Sequence, residues 1–147
     1  MNTWIVTGAS RGLGLELALQ LAARDCAVIA IARESGALRG LEAAGSGRVR
    51  ALPLDLGRPE QIGTAMRDAL QDGGELAGLI NNAGIGRYAP LLEHDEGELL
   101  DILQVNLGAA MQLTHALLPK LIAQGHGHIV NIGSDLGRRP LANMAAY

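Results

Sequence analysis

Cysteine, lysine and aromatic side chains are scarce in this sequence of 147 residues. The single cysteine, Cys26, excludes an internal disulfide and fits a reducing compartment, which favours a cytoplasmic protein. We interpret Cys26 as a small buried side chain at the start of a strand. Of the 12 basic residues only Lys120 is a lysine, so arginine carries almost all of the positive charge. This bias matters because arginine and lysine are not interchangeable in binding or catalysis.

Basic runs, long apolar stretches and clusters of metal ligands are also missing. The net charge is only −3 and no basic run occurs, so nucleic acid is not an expected partner. The longest apolar stretch, Cys26 to Ala32, is too short to cross a bilayer, and the N-terminus lacks the features of a signal peptide. His126 and His128 have no cysteine or acidic cluster at ligand spacing, so no metal site is expected. With 48% apolar residues, the sequence predicts one soluble domain over residues 1–147 with no membrane association.

The first fourteen residues, MNTWIVTGASRGLG, predict a strand, a glycine-rich turn and the start of a helix. The apolar run from Trp4 to Val6 suits a buried strand of a parallel sheet. Gly8, Gly12 and Gly14 follow, and such a turn lets bare backbone approach a pyrophosphate at the N-terminus of the next helix. The spacing G-x-x-x-G-x-G differs from the general dinucleotide fingerprint, so a glycine-rich turn without a ligand is the alternative for this motif taken alone.

Strands and helices alternate along the rest of the chain. Further strands are predicted at 26–32, 49–54, 76–81 and 128–134, and helices at 15–25, 34–44, 59–70 and 96–123. This alternation predicts an α/β fold, a three-layer, doubly wound parallel sheet of the Rossmann type with five strands. The last helix is apolar nearly all round, which predicts cover on both sides, and Pro119 is expected to kink it. A ligand is expected beyond the carboxyl ends of the strands.

The end of the second strand bears on the choice of nucleotide. Binding of NAD calls for a carboxylate there to accept a hydrogen bond from the ribose 2′-hydroxyl, whereas arginine binds a 2′-phosphate. The strand ends in Ala32 and Arg33, and Arg11 lies in the glycine-rich turn. Two guanidinium groups near that ribose favour NADP(H) over NAD(H). Glu34 is the alternative, since it would reach the ribose if the strand ended a residue or two later.

Several motifs together resemble the short-chain dehydrogenase/reductase family in its compact subgroup. The segment Thr7 to Gly14, TGASRGLG, is similar to that subgroup's T-G-x-x-x-G-x-G turn. Asp55-Leu56 is similar to the pair that holds adenine, and Asn81 to Gly84 matches the N-N-A-G signature. With Arg33 added, the cofactor contacts expected from this resemblance are Gly8, Ser10, Arg11, Gly12, Leu13, Gly14, Arg33, Asp55, Leu56, Asn82, Ala83 and Gly84.

The resemblance also implies a catalytic set. Asn106, Ser134 and Tyr147 match the family's active-site Asn, Ser and Tyr. Reduction of a carbonyl requires a proton on its oxygen as hydride reaches its carbon. By resemblance, Tyr147 would be the acid, Ser134 would polarise the carbonyl, and Asn106 would hold a water in the proton relay. The implied function is NADPH-dependent oxidoreduction of a small carbonyl or alcohol substrate.

The family's lysine has no counterpart here, because it follows the Tyr by four residues and the sequence ends at Tyr147. Its ammonium makes the phenol a better acid and holds the nicotinamide ribose. We therefore expect the 147-residue chain to bind NADPH weakly and to turn over little or nothing. The family normally has seven strands, so we interpret the sequence as the N-terminal part of a longer reductase. We expect the complete protein to be a homo-oligomer, a dimer or a tetramer.

Two other functions compete with the reductase. A non-catalytic nucleotide-sensing or interaction protein would have kept the fold and lost the chemistry. The presence of Asn106, Ser134 and Tyr147 argues against it, because a sensor needs no proton relay. A nucleotide-sugar epimerase of the family's extended branch is disfavoured by the glycine spacing, which in that branch is typically T-G-x-x-G-x-x-G.

Overall fold

The computed structural model describes residues 2–71 and 74–147. Met1, where the predicted opening segment begins, lies outside the described residues. The strands are β1 Thr3–Thr7, β2 Ala27–Ala32, β3 Val49–Pro53, β4 Leu76–Asn81 and β5 His128–Asn131. The α-helices are α1 Gly12–Ala23, α2 Gly36–Ala44, α3 Pro59–Ala69, α4 Glu96–Leu103 and α5 Ala109–Gln124.

The five strands form one parallel sheet in the order β3-β2-β1-β4-β5. The chain runs outward from β1 through β2 to β3, then returns to the other side of β1 for β4 and β5. The order therefore reverses between β1 and β4, the position where ligands bind in open α/β sheets. The predicted doubly wound Rossmann-type fold is confirmed.

Two layers of helices cover the two faces of the sheet. On one face α3 and α5 pack on the sheet, and Leu113 and Leu117 of α5 are almost completely buried. On the other face α1 and α2 pack on the sheet through small and branched side chains such as Ala18 and Leu38. Each fully buried leucine contributes about 1.5–3 kcal/mol to folding, so these two layers hold the sheet in place.

Local capping explains where several helices begin and end. Ser35 accepts a hydrogen bond from the Leu38 N–H at 3.2 Å, so α2 begins at Gly36 rather than at the predicted Glu34. Asp95 and Glu98 form a reciprocal capping box at the start of α4. Gly125 ends α5 with φ of +76°. These local interactions move element boundaries by a residue or two without changing the topology.

The strands also end slightly differently from their prediction. The second strand starts at Ala27, and Cys26 just before it is only partly buried, which corrects its interpretation as a buried strand residue. The fifth strand stops at Asn131, although the Ile132 N–H still donates to the Asn81 carbonyl at 2.8 Å. Ser134 therefore lies beyond the strand rather than at its last position.

The long predicted helix is a continuous run of α4, a π-helical turn at Gln104–Gly108, and α5. The regular α-helical hydrogen bonding of this run is interrupted at the π-helical turn. Pro119, where a kink was predicted, lies inside α5, and the helix continues past it to Gln124. Its inner side is buried on the sheet. The expected cover on the outer side is not seen within the described residues, where the exposed apolar side chains include Leu100, Leu103, Leu107, Met111 and Ile122.

Trp4 lies at the junction of three strands. Its indole crosses Gly78 of β4 and stacks on the His128 imidazole of β5, with ring centroids 6.0 Å apart and planes inclined by 4°. A methyl group on Gly78 would lie 2.7 Å from Cζ3 of Trp4 and 2.5 Å from the His128 carbonyl oxygen. Glycine is therefore required in the middle of this strand.

Membrane-spanning helices and metal-binding groups are both missing from residues 2–71 and 74–147. No helix there combines the length and the apolar character needed to cross a bilayer. No three His, Cys, Asp or Glu side chains there are grouped so as to hold a metal ion.

Candidate functional site

A cleft of about 1050 Å³ opens at the carboxyl edge of the sheet, where the strand order reverses. Its walls are the loops that follow β1, β2, β3 and β4. All the residues expected to contact a cofactor line this cleft except Leu13 and Gly14. The cleft is at the upper end of the usual size range of ligand sites, which suits an extended ligand.

Thr7, at the end of β1, joins the glycine-rich turn to the loop after β4. Its hydroxyl oxygen accepts hydrogen bonds from the Asn82 and Ala83 N–H groups, each at 2.9 Å, and donates to the Ile80 carbonyl at 3.4 Å. The side chain is 1% exposed. One buried hydroxyl therefore holds two walls of the cleft together.

The glycines of the turn allow a very close approach of three backbone segments. Gly8 has φ of +67°, and a methyl group there would lie 2.9 Å from the Ala83 Cα. A methyl group on Gly14 would lie 2.5 Å from the Gly8 carbonyl oxygen. The Asn82 side-chain amide donates to the Thr7 carbonyl at 2.9 Å within this junction. Gly14 thus contributes by letting α1 start close to the turn rather than by lining the cleft.

Three arginines line the cleft, one from each of three adjacent strands. Arg11 follows β1, Arg33 follows β2 and Arg58 follows β3. None of the three side chains makes a hydrogen bond or ion pair within residues 2–71 and 74–147. Glu34, which was the alternative contact for the ribose, pairs with Arg39 and is not among the residues that line the cleft. The unpaired guanidinium groups make the cleft suited to an anionic ligand.

The turn after β3 is held by its own carboxylate. Oδ1 of Asp55 accepts the Gly57 N–H at 3.0 Å, while Leu56 is 7% exposed and belongs to the core. Asp55 itself is exposed and lines the cleft. It therefore keeps a second carboxylate oxygen for a ligand.

Asn106 lies in the π-helical turn and clamps the loop after β4. Its Oδ1 accepts the Ile85 N–H and its Nδ2 donates to the Ile85 carbonyl, both at 2.8 Å. The Asn106 side-chain amide is thus used in fixing the loop. The π-helical turn sets the register that brings Asn106 against Ile85.

Ser134 lies in the exposed segment after β5. Its oxygen accepts the Leu136 N–H at 3.2 Å. The hydroxyl hydrogen has no acceptor among the described residues, so Ser134 can donate a hydrogen bond to a ligand.

Tyr147 packs on the loop that Asn106 clamps. A methyl group on Gly86 would lie 2.6 Å from Cδ2 of Tyr147, and the Asn143 carbonyl accepts the Ala89 N–H at 2.9 Å. The phenol ring is 47% exposed. Asn106 and Tyr147 are therefore linked through residues 85–86, whereas no hydrogen bond joins the hydroxyls of Ser134 and Tyr147 in the part of the chain that the structure describes.

Comparison with known proteins shows to which family the chain belongs. The family model for short chain dehydrogenase matches residues 2–147. The chain belongs to the short-chain dehydrogenase family. Among solved structures, the chain is similar to a metagenomic short-chain oxidoreductase in complex with NADP. The TM-score is 0.93, and the two are 35% identical over 99% of this chain and 68% of that one. It is also similar to a short-chain dehydrogenase from Sphingobium yanoikuyae in complex with NADPH, with a TM-score of 0.90 and 31% identity over 100% of this chain and 59% of that one.

Two of the curated relatives of this chain are named as ketoacyl or 3-oxoacyl reductases. The ketoacyl reductase HetN of a Nostoc species is 36% identical over 99% of this chain and 52% of its own length. The 3-oxoacyl-[acyl-carrier-protein] reductase FabG of Vibrio cholerae is 35% identical over 97% of this chain and 59% of its own length. The chain thus spans between half and three fifths of the length of these two relatives.

Several residues that line or support the cleft were not among the predicted contacts, and two of them carry much of the argument: Thr7, buried beneath the cleft, and Arg58, on its wall. Thr7 belongs to the recognised turn motif, but its burial and its three hydrogen bonds depend on the β4 loop, which is distant in sequence. Arg58 offered one local signal, since an arginine directly before a proline-initiated helix is an unusual N-cap residue.

Proposed function

We propose that the protein is an NADP(H)-dependent oxidoreductase that acts on a small carbonyl or alcohol substrate, with residues 1–147 as its nucleotide-binding domain. The observation that carries the proposal is the cleft, in which a crowded glycine-rich turn lies beside unpaired Arg11 and Arg33. Free backbone N–H groups at the start of α1 suit a pyrophosphate, and two guanidinium groups suit a 2′-phosphate. The residues present therefore fit NADP(H).

The proposed roles in the reaction follow from the hydrogen-bonding capacity of each side chain. The cofactor would supply or accept hydride. The free hydroxyl hydrogen of Ser134 would bond to the substrate oxygen, and the Tyr147 phenol would give or take the proton there. Asn106 would act as a positioning residue, because it fixes Ile85 next to Gly86, on which the Tyr147 ring packs.

The test of this function measures binding and turnover separately. Calorimetry with NADPH is expected to show binding at one site per chain. Residues 1–147 alone are expected to oxidise little or no NADPH, whereas a longer chain that supplies the family's lysine is expected to oxidise NADPH only when a carbonyl compound is added. A 3-oxoacyl thioester is a suitable first substrate, because the curated relatives are named for that class. Failure of NADPH to bind would overturn the proposal at its first step.

A nucleotide-sensing protein is the competing function, and it is favoured by one observation. Within the described residues no hydrogen bond joins Tyr147 and Ser134, so their hydroxyl groups do not form a proton relay in this structure. A sensor would bind NADPH and leave it unoxidised with every carbonyl compound tried. Carbonyl-dependent oxidation of NADPH at about 1 per second or more would exclude the sensor.

Arg33→Ala is expected to weaken NADPH binding about tenfold and to change NADH binding less than about twofold, because only NADPH carries the 2′-phosphate. Calorimetric Kd values for the two nucleotides provide the measurement. Arg24→Ala is the matched control, since Arg24 is also exposed but lies at the far end of α1. An equal loss for both nucleotides would show that Arg33 does not bind the phosphate.

We also propose that the protein forms homo-oligomers through the outer side of α4 and α5. Leu103, Leu107 and Met111 are each more than half exposed there and share one helix face. Leu107→Arg is expected to lower the mass seen by sedimentation equilibrium to that of the monomer. Leu92→Arg is the control, because Leu92 is 99% exposed but lies in the 3-10 turn Leu91–Glu93, outside both helices. A wild-type protein that is already monomeric would contradict the proposal.

A further inference from the structure

Two of the helices that begin at the cleft have an arginine as N-cap residue, and its side chain does not cap the helix. Arg11 is the N-cap residue of α1 and Arg58 that of α3, and neither side chain makes a capping hydrogen bond. Ser35 and Asp95, at the starts of α2 and α4, do make such bonds. An arginine in this position loses the cap and places positive charge at the positive end of the helix dipole. Residues that break a local rule in this way are expected where a ligand compensates for them.

Arg58 is fixed by its backbone and free at its side chain. Its N–H donates to the Asp55 carbonyl at 3.0 Å, and its carbonyl accepts the Gln61 N–H at 3.1 Å. Pro59 follows as the first residue of α3. The guanidinium group is exposed on the cleft wall without a partner among the described residues. The turn therefore presents this group to a ligand at no cost to existing contacts.

The order of the strands places Arg58 at the outer end of the cleft. The glycine-rich turn follows β1, Arg33 follows β2, and Arg58 follows β3, the edge strand. Neighbouring strands lie about 4.8 Å apart, so the end of β3, from which the Arg58 turn leads, lies about 10 Å from the end of β1. A dinucleotide bound with its pyrophosphate at β1 and its ribose at β2 would have its adenine next to β3.

The outer end of the cleft offers adenine few flat surfaces other than guanidinium groups. The three aromatic residues of the chain, Trp4, Tyr88 and Tyr147, are not among the residues that line the cleft. The base would lie near the buried side chains of Leu54 and Leu56. Guanidinium groups are planar and stack on aromatic faces, which makes them the available substitute for an aromatic ring.

We propose that the Arg58 guanidinium stacks on the adenine ring of the bound nucleotide, so that it contributes to affinity for the base and not to the choice between NADP and NAD. This proposal rests on the nucleotide binding proposed above. Arg33, after β2, and Arg58, after β3, then contact different parts of the nucleotide. Arg33 binds the 2′-phosphate and Arg58 binds the base. Arg58 is then a determinant of adenine recognition, separate from the carboxylate of Asp55 in the same turn.

Arg58→Asn is the most informative variant, because asparagine is a preferred N-cap residue. It is expected to raise the unfolding temperature of the protein while it weakens nucleotide binding. The Kd values for NADPH and NADH are both expected to rise by about three- to fivefold, as is usual for loss of a cation–π contact. Calorimetry of the same protein with AMP is expected to show the same loss, and binding of NMN is expected to be unchanged. Arg24→Ala again serves as the control.

Arg58→Lys separates planar stacking from simple charge. Lysine keeps the charge and loses the plane, so it is expected to bind both nucleotides nearly as weakly as Arg58→Asn does. Recovery of wild-type affinity in Arg58→Lys would overturn the stacking assignment. A loss confined to NADPH in Arg58→Asn would overturn it too, because it would place Arg58 on the phosphate. Unchanged affinity in every Arg58 variant would refute the inference alone, whereas a wild-type protein that binds neither nucleotide would refute the proposed function.

Discussion

Thr7→Val is expected to lower the free energy of unfolding by about 2–4 kcal/mol, although the two side chains have nearly the same shape. The substitution removes the oxygen that accepts the Asn82 and Ala83 N–H groups. Each N–H left without a partner in this buried junction costs about 1–3 kcal/mol. The loss of the hydroxyl also frees the β4 loop from the glycine-rich turn. Urea unfolding followed by far-ultraviolet circular dichroism provides the measurement.

Thr7→Ser is the matched control for this variant. Serine keeps the hydroxyl and loses one methyl group, so it is expected to cost only about 1 kcal/mol. If Thr7→Val and Thr7→Ser were equally destabilising, the methyl group rather than the hydrogen bonds would be responsible, and the proposed role of the junction would be wrong.

Gly14→Ala is expected to weaken NADPH binding about a hundredfold, because moving α1 away from the turn would remove a backbone hydrogen bond to the pyrophosphate, and a bond to a charged group contributes about 1.5–3 kcal/mol. The added methyl group would lie 2.5 Å from the Gly8 carbonyl oxygen. Backbone cannot rotate away as a side chain can, so α1 and the turn must separate. We also expect an unfolding free energy about 1–3 kcal/mol lower. Calorimetry and urea unfolding measure the two effects.

Gly40→Ala is the corresponding control within a helix. Gly40 lies inside α2 with no atom within 4 Å of an added methyl group. Alanine is the better helix former, so this variant is expected to stabilise the protein by about 0.5–1 kcal/mol without changing NADPH affinity. Unchanged NADPH affinity in Gly14→Ala would show that the close approach of α1 to the turn is not needed for binding.

The fold could be predicted from the sequence because its main determinants are local. Buried strands such as 27–32 are continuous apolar runs, and helices such as α3 begin with proline or a capping residue. The errors are at the ends of helices and strands, because a single hydrogen bond can determine at which residue an element begins or ends. The Ser35 cap moved the start of α2, and β5 ends early, at Asn131.

The candidate site could be predicted only in part, because the hydrogen bonds that hold it together connect segments that are distant in sequence. The motifs identified the loops, including the Asn81 to Gly84 signature. Two features have no local signature: the Thr7 hydroxyl bonds across more than 70 residues, and the Asn106 amide closes on a backbone 21 residues away. Sequence motifs identify which side chains belong to a site, whereas hydrogen-bond partners depend on how the strands are ordered.

The stacking of Trp4 on His128 gives the protein an internal optical probe. Trp4 is its only tryptophan, and the indole lies where β1, β4 and β5 meet. The intrinsic emission of the protein therefore reports on the half of the sheet that leads to Asn82 and Ser134. The same indole packs against the core cluster that contains Leu38 of α2 and Val49 of β3, so the emission also responds to opening of that side of the sheet, without an added label.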